Sequence, residues 1–191
     1  MEYVLTDVLS RQQIDLCKEV ALNRVNEHMS DAKNGDPRAL NTNGGRGKLS
    51  DRSRAERLKQ GLMGTLGECL GSIFTRCEWT MESGQYKGNK NPDLGPIFRG
   101  KRVICEVRSR EEDTCLYRPQ HDRHRPDVLY VAVTKLPFGP FRIYHAFFRD
   151  LIPLVDKHPE WMRAKNSPTP FYAIPSEYFS EDFSEFGTKT Q

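Results

Sequence analysis

The stretch "NPDLGPIFRGKRVICEVRSR", residues 91–110, contains the alternation of polar and apolar side chains that decides the fold. Alternation with a period of two is typical of a β-strand that is buried on one face. Residues i and i+2 of a strand share a face, so Glu106 and Arg108 are expected to point the same way as Ile104. The opposite, apolar face is expected to consist of Val103, Cys105 and Val107.

Asp93 opens the same stretch, directly after a proline, and a glycine- and proline-containing spacer separates it from the strand. A hairpin of that length can return the chain beside its start, so Asp93 and Glu106 are expected to converge at one end of adjacent strands. Two carboxylates with the backbone carbonyl of Val107 form the oxygen-rich site that Mg²⁺ prefers, with Mn²⁺ as a substitute. Such an ion polarises a phosphoryl oxygen and lowers the pKa of a bound water.

The flanking sequence predicts helices before this stretch and strands after it. Ser10 and Gln13 form a capping-box pattern, and apolar residues at helical spacing follow over about 10–31. A second helix is predicted over about 52–75. Strands are predicted at about 77–82, 96–98, 102–108, 114–118, 127–134 and 141–147, of which the nearly all-apolar 127–134 should be central. This order predicts one α/β domain over 1–191, with a mixed central β-sheet flanked by helices.

Glu68 is predicted to lie opposite the apolar stripe of the second helix, beside Gly61, Gly64 and Gly71. Three glycines in a helix cost about 1 kcal/mol each relative to alanine, so a close approach of another backbone or a ligand is expected to offset that cost. Glu68 would then lie where that backbone or ligand meets the helix. An exposed glutamate on a glycine-weakened helix is the alternative.

The distribution of charge favours a nucleic acid as partner more than the net charge of +3 does. Residues 46–59 contain six basic residues against two acids, and residues 33–52 are rich in Gly, Asn and Arg. We predict a basic loop over 33–52 that is mobile without nucleic acid, and an acidic tail over 176–191. The region 118–125 is predicted to be a basic loop that faces phosphates.

The cysteines and the absence of long apolar runs indicate the compartment. Five cysteines without a CxxC pair argue against structural zinc and predict free thiols in a reducing cytoplasm. No apolar run approaches the roughly 20 residues of a membrane span, and the first residues predict no secretory signal. We therefore expect a cytoplasmic protein without membrane partners, whose oligomeric state stays open, a homodimer included.

The motifs resemble those of a nuclease superfamily. "NPD" followed by "ICEVRS" resembles the PD-(D/E)XK superfamily, whose pattern is Pro-Asp, a spacer, and Glu-x-Lys on a strand. "GLMGTLGECLGSIF" resembles the preceding helix of that family, where a Gly-Glu supplies an extra carboxylate. "RPDVLYVAVTKLPFGPFRIYHAF" looks like the next two core strands, and "PTPFYAIPSEYF" resembles the close of small phage or bacterial members. The resemblance covers residues 60–180 in order.

This resemblance implies a restriction-endonuclease-like core and Mg²⁺-dependent hydrolysis of DNA phosphodiesters. Asp93 and Glu106 would bind the metal with the carbonyl of Val107, and Glu68 would contribute through water or a second ion. Arg108 stands where the family usually has Lys. It cannot act as a base, but it can orient a water or hold a phosphate bidentately. The DNA backbone would be contacted by Arg46, Lys48, Arg52, Arg54, Lys101, Arg110 and Arg123.

Two alternatives remain open at this point. The Arg108 departure favours a nuclease-like domain that no longer cuts and serves as a DNA-binding or protein-interaction module. A structural protein in which Glu106 and Arg108 form an ordinary surface ion pair is the third reading. Sequence reasoning also leaves open whether cleavage is endonucleolytic or exonucleolytic, and whether the substrate is DNA or RNA.

Overall fold

The computed structural model describes residues 1–33, 53–79, 93–137, 139–163 and 170–187 of the chain. Ser10 and Gln13 form the predicted capping box, because each side-chain oxygen accepts a hydrogen bond from the other residue's backbone N–H, and the first long helix begins at Arg11. Ser53 and Glu56 form a second capping box before the next long helix. The helices within the described ranges are α1 (Leu5–Val8), α2 (Arg11–Lys33), α3 (Arg54–Phe74), α4 (Pro119–Asp122) and α5 (Phe148–Lys157).

The strands between residues 97 and 147 follow the predicted order, although several are shorter, and two strands after residue 160 were not predicted. They are β1 (Ile97–Phe98), β2 (Lys101–Arg102), β3 (Cys105–Ser109), β4 (Thr114–Tyr117), β5 (Leu129–Thr134), β6 (Arg142–Phe147), β7 (Met162–Arg163) and β8 (Phe171–Pro175). A 3₁₀ turn follows α5 and another follows β8. Together with the helices, these strands give a mixed α/β architecture, which confirms the predicted class.

The strands form three small sheets, and β5 occupies the centre of the sheet that carries the candidate site. β3 pairs with β5 in parallel, so that Glu106 lies beside Tyr130, and β6 pairs with β5 antiparallel. Every residue of β5 is buried, as a strand covered on both faces requires, which confirms the prediction for 127–134. A second sheet has the order β4-β8-β7, and β1 pairs with β2 in a hairpin.

Two hydrophobic clusters cover the two faces of the β3-β5-β6 sheet. On one face, Leu66 and Leu70 of α3 pack with Cys105 and Val131. On the other face, α5, β4 and β8 cover Tyr130 and the aliphatic residues around it. All five cysteines are free thiols, and Cys105 and Cys115 are fully buried core residues, as expected.

The glycines of α3 allow close approach at some of the predicted positions. A Cβ on Gly61 would lie 3.5 Å from the carbonyl oxygen of Ala21 in α2, so two helix backbones approach each other there, while a Cβ on Gly64 would meet nothing within 4 Å. The tightest contact involves Gly67, where a Cβ would lie 1.8 Å from Oγ of Ser109. The glycines therefore let α3 pack closely against both α2 and β3.

Several segments differ from the sequence-based predictions. Residues 77–79 do not form the predicted strand, and 80–82 lie outside the described residues, as do 34–52 of the predicted basic loop. The predicted acidic tail is part of the fold as far as residue 187, because its aromatic residues Phe179 and Phe186 are buried in the two clusters. Of the helices in the described ranges, none has both the length and the apolar character that crossing a bilayer requires.

Candidate functional site

Asp93 lies at the free edge of β3, on the side away from β5. Leu94 and Cys105 exchange two backbone hydrogen bonds in an antiparallel bridge, and continuing that register by one residue sets Asp93 beside Glu106. Directly opposed residues of an antiparallel pair share a face of the sheet. The Asp93 side chain accepts a hydrogen bond of 2.8 Å from the backbone N–H of Val107, which ties the carboxylate to this edge.

The electrostatic surroundings of Asp93 are unfavourable to its negative charge. Burial is the largest cause that raises its pKa, to about 6, and the charges of Glu68 and Glu106 add to the effect. The Val107 N–H and the charge of Arg108 only partly oppose the shift. Among the described residues, no basic side chain forms a salt bridge with Asp93. Within the described part of the chain, Asp93 is therefore a carboxylate without a direct positive partner.

Glu106, in contrast, has an arginine on each carboxylate oxygen. Nε and Nη2 of Arg108 donate to Oε1 at 2.8 and 2.5 Å, and Nη1 of Arg125 donates to Oε2 at 2.5 Å. Burial, the largest influence, raises the pKa of Glu106, but the two arginines outweigh it and the pKa is lowered. Glu106 is therefore held ionised, with its orientation fixed by β3 and by these two partners.

Arg108 is a buried member of an ion network that also contains Asp122. Asp122 is fully buried and accepts from Nη1 and Nη2 of Arg108 at 2.7 and 2.6 Å. Nη1 also donates to the Leu116 carbonyl, and the guanidinium carbon lies 5.3 Å from the ring centres of Tyr130 and Phe148. With Nε and Nη2 on Glu106, all three guanidinium nitrogens bond within the protein.

The pKa of Arg108 reflects this network. Burial alone would lower it, but the hydrogen bonds and charges of Asp122 and Glu106 more than compensate, so the pKa is raised. Arg108 is thus a permanent cation whose donors are already occupied. A role of Arg108 toward water or phosphate stays a prediction from the resemblance. In this conformation the more exposed Arg125 is better placed than Arg108 for such a role.

Glu68 points toward α2 and forms a bidentate salt bridge there. Nη1 and Nη2 of Arg24 donate to its two oxygens at 2.9 Å each, and Nε1 of Trp79 donates to Oε2 at 3.3 Å. Both charged side chains are largely buried, with about a tenth of each exposed. Glu68 is close enough to raise the pKa of Asp93, but its own oxygens are engaged by Arg24 and Trp79.

The expected ligand set is only partly assembled. Over the described ranges, no group of three or more His, Cys, Asp or Glu side chains lies close enough to hold a metal ion. What remains is the pair of Asp93 and Glu106 on one edge of the sheet. The ladder phase directs the Val107 carbonyl, like its N–H, toward that same edge. These are oxygen donors of the kind that Mg²⁺ binds while keeping several waters.

A cavity of about 440 Å³ opens beside Asp93. Asp93 and Glu78 contribute acids to its wall, Arg76 and Arg102 contribute bases, and its remaining lining is mainly apolar. Nη1 of Arg76 donates to the Phe186 carbonyl, so this arginine also anchors the C-terminal segment. Asp93 therefore lines a cavity in which charged and apolar side chains lie side by side.

The predicted nucleic-acid contacts fall into three groups. Arg46, Lys48 and Arg52 lie outside the described residues. Arg54 and Lys101 are exposed at the start of α3 and on β2. Arg110 and Arg123 form salt bridges with Glu112 and Asp156, so these two cations are partly neutralised on the protein itself. Their role toward DNA stays a prediction.

Sequence reasoning missed three residues that support the site: Arg125, which bonds to Glu106, Arg24, which bonds to Glu68, and Asp122, which bonds to Arg108. Asp122 and Arg125 were assigned to a phosphate-facing loop, but α4 and the turn after it direct Asp122 inward, so the structure corrects that interpretation for Asp122. For Arg24 a clue existed, because it lies on the buried side of α2 near Cys17, Ala21 and Val25. For Asp122, an acid within a basic run, the sequence contains no such clue.

Comparison with known proteins adds no relative to this picture: no protein-family model, no curated protein and no solved structure matches the chain.

Proposed function

We propose that this chain is a metal-dependent nuclease that hydrolyses DNA phosphodiester bonds, with a PD-(D/E)XK-like core. The observation that carries the proposal is the antiparallel bridge between Leu94 and Cys105, whose register, continued by one residue, sets Asp93 beside Glu106 at the outer edge of β3. The resemblance of "NPD" and "CEVRS" to the nuclease pattern requires this pairing of a carboxylate before a hairpin with one on the following strand. The mixed β3-β5-β6 sheet supports the same reading.

The donor set fits Mg²⁺ or Mn²⁺. Asp93 is half-buried and repelled by neighbouring acids, and a divalent cation would offset that repulsion. Asp93 and Glu106 would hold the ion together with the Val107 carbonyl. When bound, it would polarise the phosphoryl oxygen and lower the pKa of a water. The protein's own contribution is to hold both carboxylates rigidly, through the Val107 N–H and through Arg108.

A second candidate function is a nuclease-like domain that binds DNA or a protein without cutting. The specific observation in its favour is that the nitrogens of Arg108 already bond to Glu106, Asp122 and Leu116. An arginine held in this way supplies no proton acceptor and has little freedom to grip a phosphate. Under this reading the same network is purely structural.

The deciding experiment is a cleavage assay with Mg²⁺ and with Mn²⁺ on supercoiled, linear, single-stranded and branched DNA. The wild type is expected to cut at least one of these substrates, and Asp93→Asn is expected to abolish cutting while DNA affinity is retained. Asp15→Asn is a matched control, because Asp15 is an exposed acid on α2 that pairs with Lys18 in its own helix. An inert wild type that still binds DNA would favour the second function.

A further inference from the structure

The two arginines that hold Glu106 differ in how firmly the protein holds them. The Arg108 side chain is 11% exposed and bonds to Asp122 and to a backbone carbonyl as well as to Glu106. The Arg125 side chain is 43% exposed. Among the described residues, Glu106 is the one group to which the Arg125 guanidinium bonds. Loss of that single contact would therefore release the Arg125 side chain and leave Arg108 in place.

The backbone at Arg125 is fixed independently of its side chain. Its N–H donates to the Asp122 carbonyl at 3.0 Å, and its carbonyl accepts from the N–H of Val128 at 3.1 Å. These bonds close the turn between α4 and β5. The guanidinium can consequently leave Glu106 by rotating about side-chain bonds, without any rearrangement of the sheet.

The oxygen that Arg125 covers is the one that a shared ion needs. Oε1 of Glu106 is occupied by the buried Arg108, so Oε2 is the donor that Glu106 has left to offer alongside Asp93. A divalent cation and the Arg125 guanidinium therefore compete for Oε2, since two positive groups on one carboxylate oxygen repel each other. Before an ion binds, Arg125 also limits the repulsion between the two carboxylates, since it neutralises one of them.

We propose that Arg125 is an exchangeable counterion of Glu106, which a divalent cation displaces from Oε2 and which then binds a phosphate of the nucleic acid. This inference rests on the proposed function, because it takes Asp93 and Glu106 as the metal ligands. A released guanidinium at this exposed position offers a planar fork of donors that matches phosphate geometry. Metal binding and engagement of the nucleic acid are thereby coupled through one side chain.

The test compares Mn²⁺ affinity by calorimetric titration at pH 8 for the wild type, Arg125→Ala and Arg149→Ala. Arg149 is the matched control, since it is an exposed arginine that pairs with Asp127 and makes no bond to Glu106. Arg125→Ala is expected to bind Mn²⁺ about tenfold more tightly, because one charge-assisted hydrogen bond no longer competes. Arg149→Ala should leave the affinity within about twofold, as expected for an exposed pair.

The second arm measures affinity for a DNA duplex in the presence of Ca²⁺. Arg125→Ala is expected to bind DNA several-fold more weakly, with a smaller dependence of affinity on salt, since one phosphate contact is lost. Arg125→Lys should recover most of the DNA affinity, because it keeps the charge. Unchanged or weaker Mn²⁺ affinity in Arg125→Ala, with the wild type binding the ion, would overturn the inference and leave the proposed function standing. A wild type that binds no Mn²⁺ would overturn both.

Discussion

Arg108 and Asp122 form a bidentate salt bridge in which the aspartate is fully buried and each guanidinium NH₂ group donates to one carboxylate oxygen. The pair joins β3 to α4, and through Glu106 and Arg125 it extends to the surface. The arginine that sequence reasoning places in a catalytic role is thus also part of the structural support of the site. Each role predicts a different response to substitution.

Arg108→Lys separates these roles. Lysine is the residue that the nuclease pattern expects here, but its single ammonium group cannot replace a planar fork that bonds to Glu106, Leu116 and Asp122 at once. We expect the variant to lose about 2–4 kcal/mol in the free energy of unfolding, measured by urea denaturation. Asp122 stays buried, but lysine replaces its two hydrogen bonds from arginine with a weaker interaction. Arg149→Lys, at an exposed pair, should change it by less than about 0.5 kcal/mol. Equal stabilities of the wild type and Arg108→Lys would show that the network contributes little.

Glu68→Gln tests the second buried pair. The substitution removes the negative charge of Glu68 from the bidentate bridge with the buried Arg24, so a loss of about 3–5 kcal/mol is expected in the free energy of unfolding. Thermal or urea unfolding measures the loss, and Asp15→Asn supplies the control, with a change below about 1 kcal/mol for its exposed pair. A mild effect of Glu68→Gln on folding accompanied by loss of cleavage would instead favour the sequence-based role of Glu68 as a site carboxylate.

Asp93→Asn should stabilise the protein at pH 8 in the absence of metal. The pKa of Asp93 is raised to about 6 in the fold, whereas an unfolded aspartate titrates near about 3.9. The stability that comes from keeping it protonated is therefore present below about pH 4 and is lost as the pH rises through about 6. We expect the variant to be more stable than the wild type by about 1–3 kcal/mol at pH 8, because the unfavourable charge is gone.

At pH 4 that advantage should disappear, because both side chains are then neutral in the fold. Urea denaturation of the two proteins at both pH values measures the difference, and the comparison between them cancels the titration of all other groups. A variant that is less stable than the wild type at pH 8 would mean that Asp93 stabilises the fold by charge, contrary to its surroundings.

A divalent cation should reverse this order of stabilities. An ion that binds only the native state, present at a free concentration of about 100 times its dissociation constant, adds about 2.7 kcal/mol to the free energy of unfolding. We expect MgCl₂ at pH 8 to raise the melting temperature of the wild type clearly more than that of Asp93→Asn, because the variant binds the ion more weakly. An equal shift in both proteins would indicate binding elsewhere on the chain.

The sequence predicts the position of a residue well where a local pattern decides it, and poorly where partners far away in the chain decide it. The alternation in 103–108 and the apolar run at 127–134 place β3 and β5, since their side chains divide between the two faces of the sheet. The spacing also predicts Asp93 beside Glu106, from a hairpin of suitable length, and the bridge between Leu94 and Cys105 is consistent with that prediction. These predictions need only neighbouring residues and the strand period.

The partners of the carboxylates depend on contacts between residues far apart in the chain. Arg24 meets Glu68 because α2 lies along α3, and Asp122 meets Arg108 because α4 turns the chain inward after β4. Neither contact has a local pattern that fixes it. In the sequence Asp122 is an acid within a run of basic residues, so it looks solvated, whereas the structure buries it completely.

The measurement that tests the central claim most directly is Mn²⁺ binding followed by electron paramagnetic resonance at pH 8, with the wild type, Asp93→Asn, Glu106→Gln and the control Asp15→Asn. If Asp93 and Glu106 share one ion, the wild type and Asp15→Asn bind one Mn²⁺ with equal affinity. Each of the two site variants should bind it about 10–100-fold more weakly, because each removes one ionised ligand at a cost of about 1.4 kcal/mol per factor of ten. Binding of Mn²⁺ with the same affinity by all four proteins, or by none of them, would contradict the account.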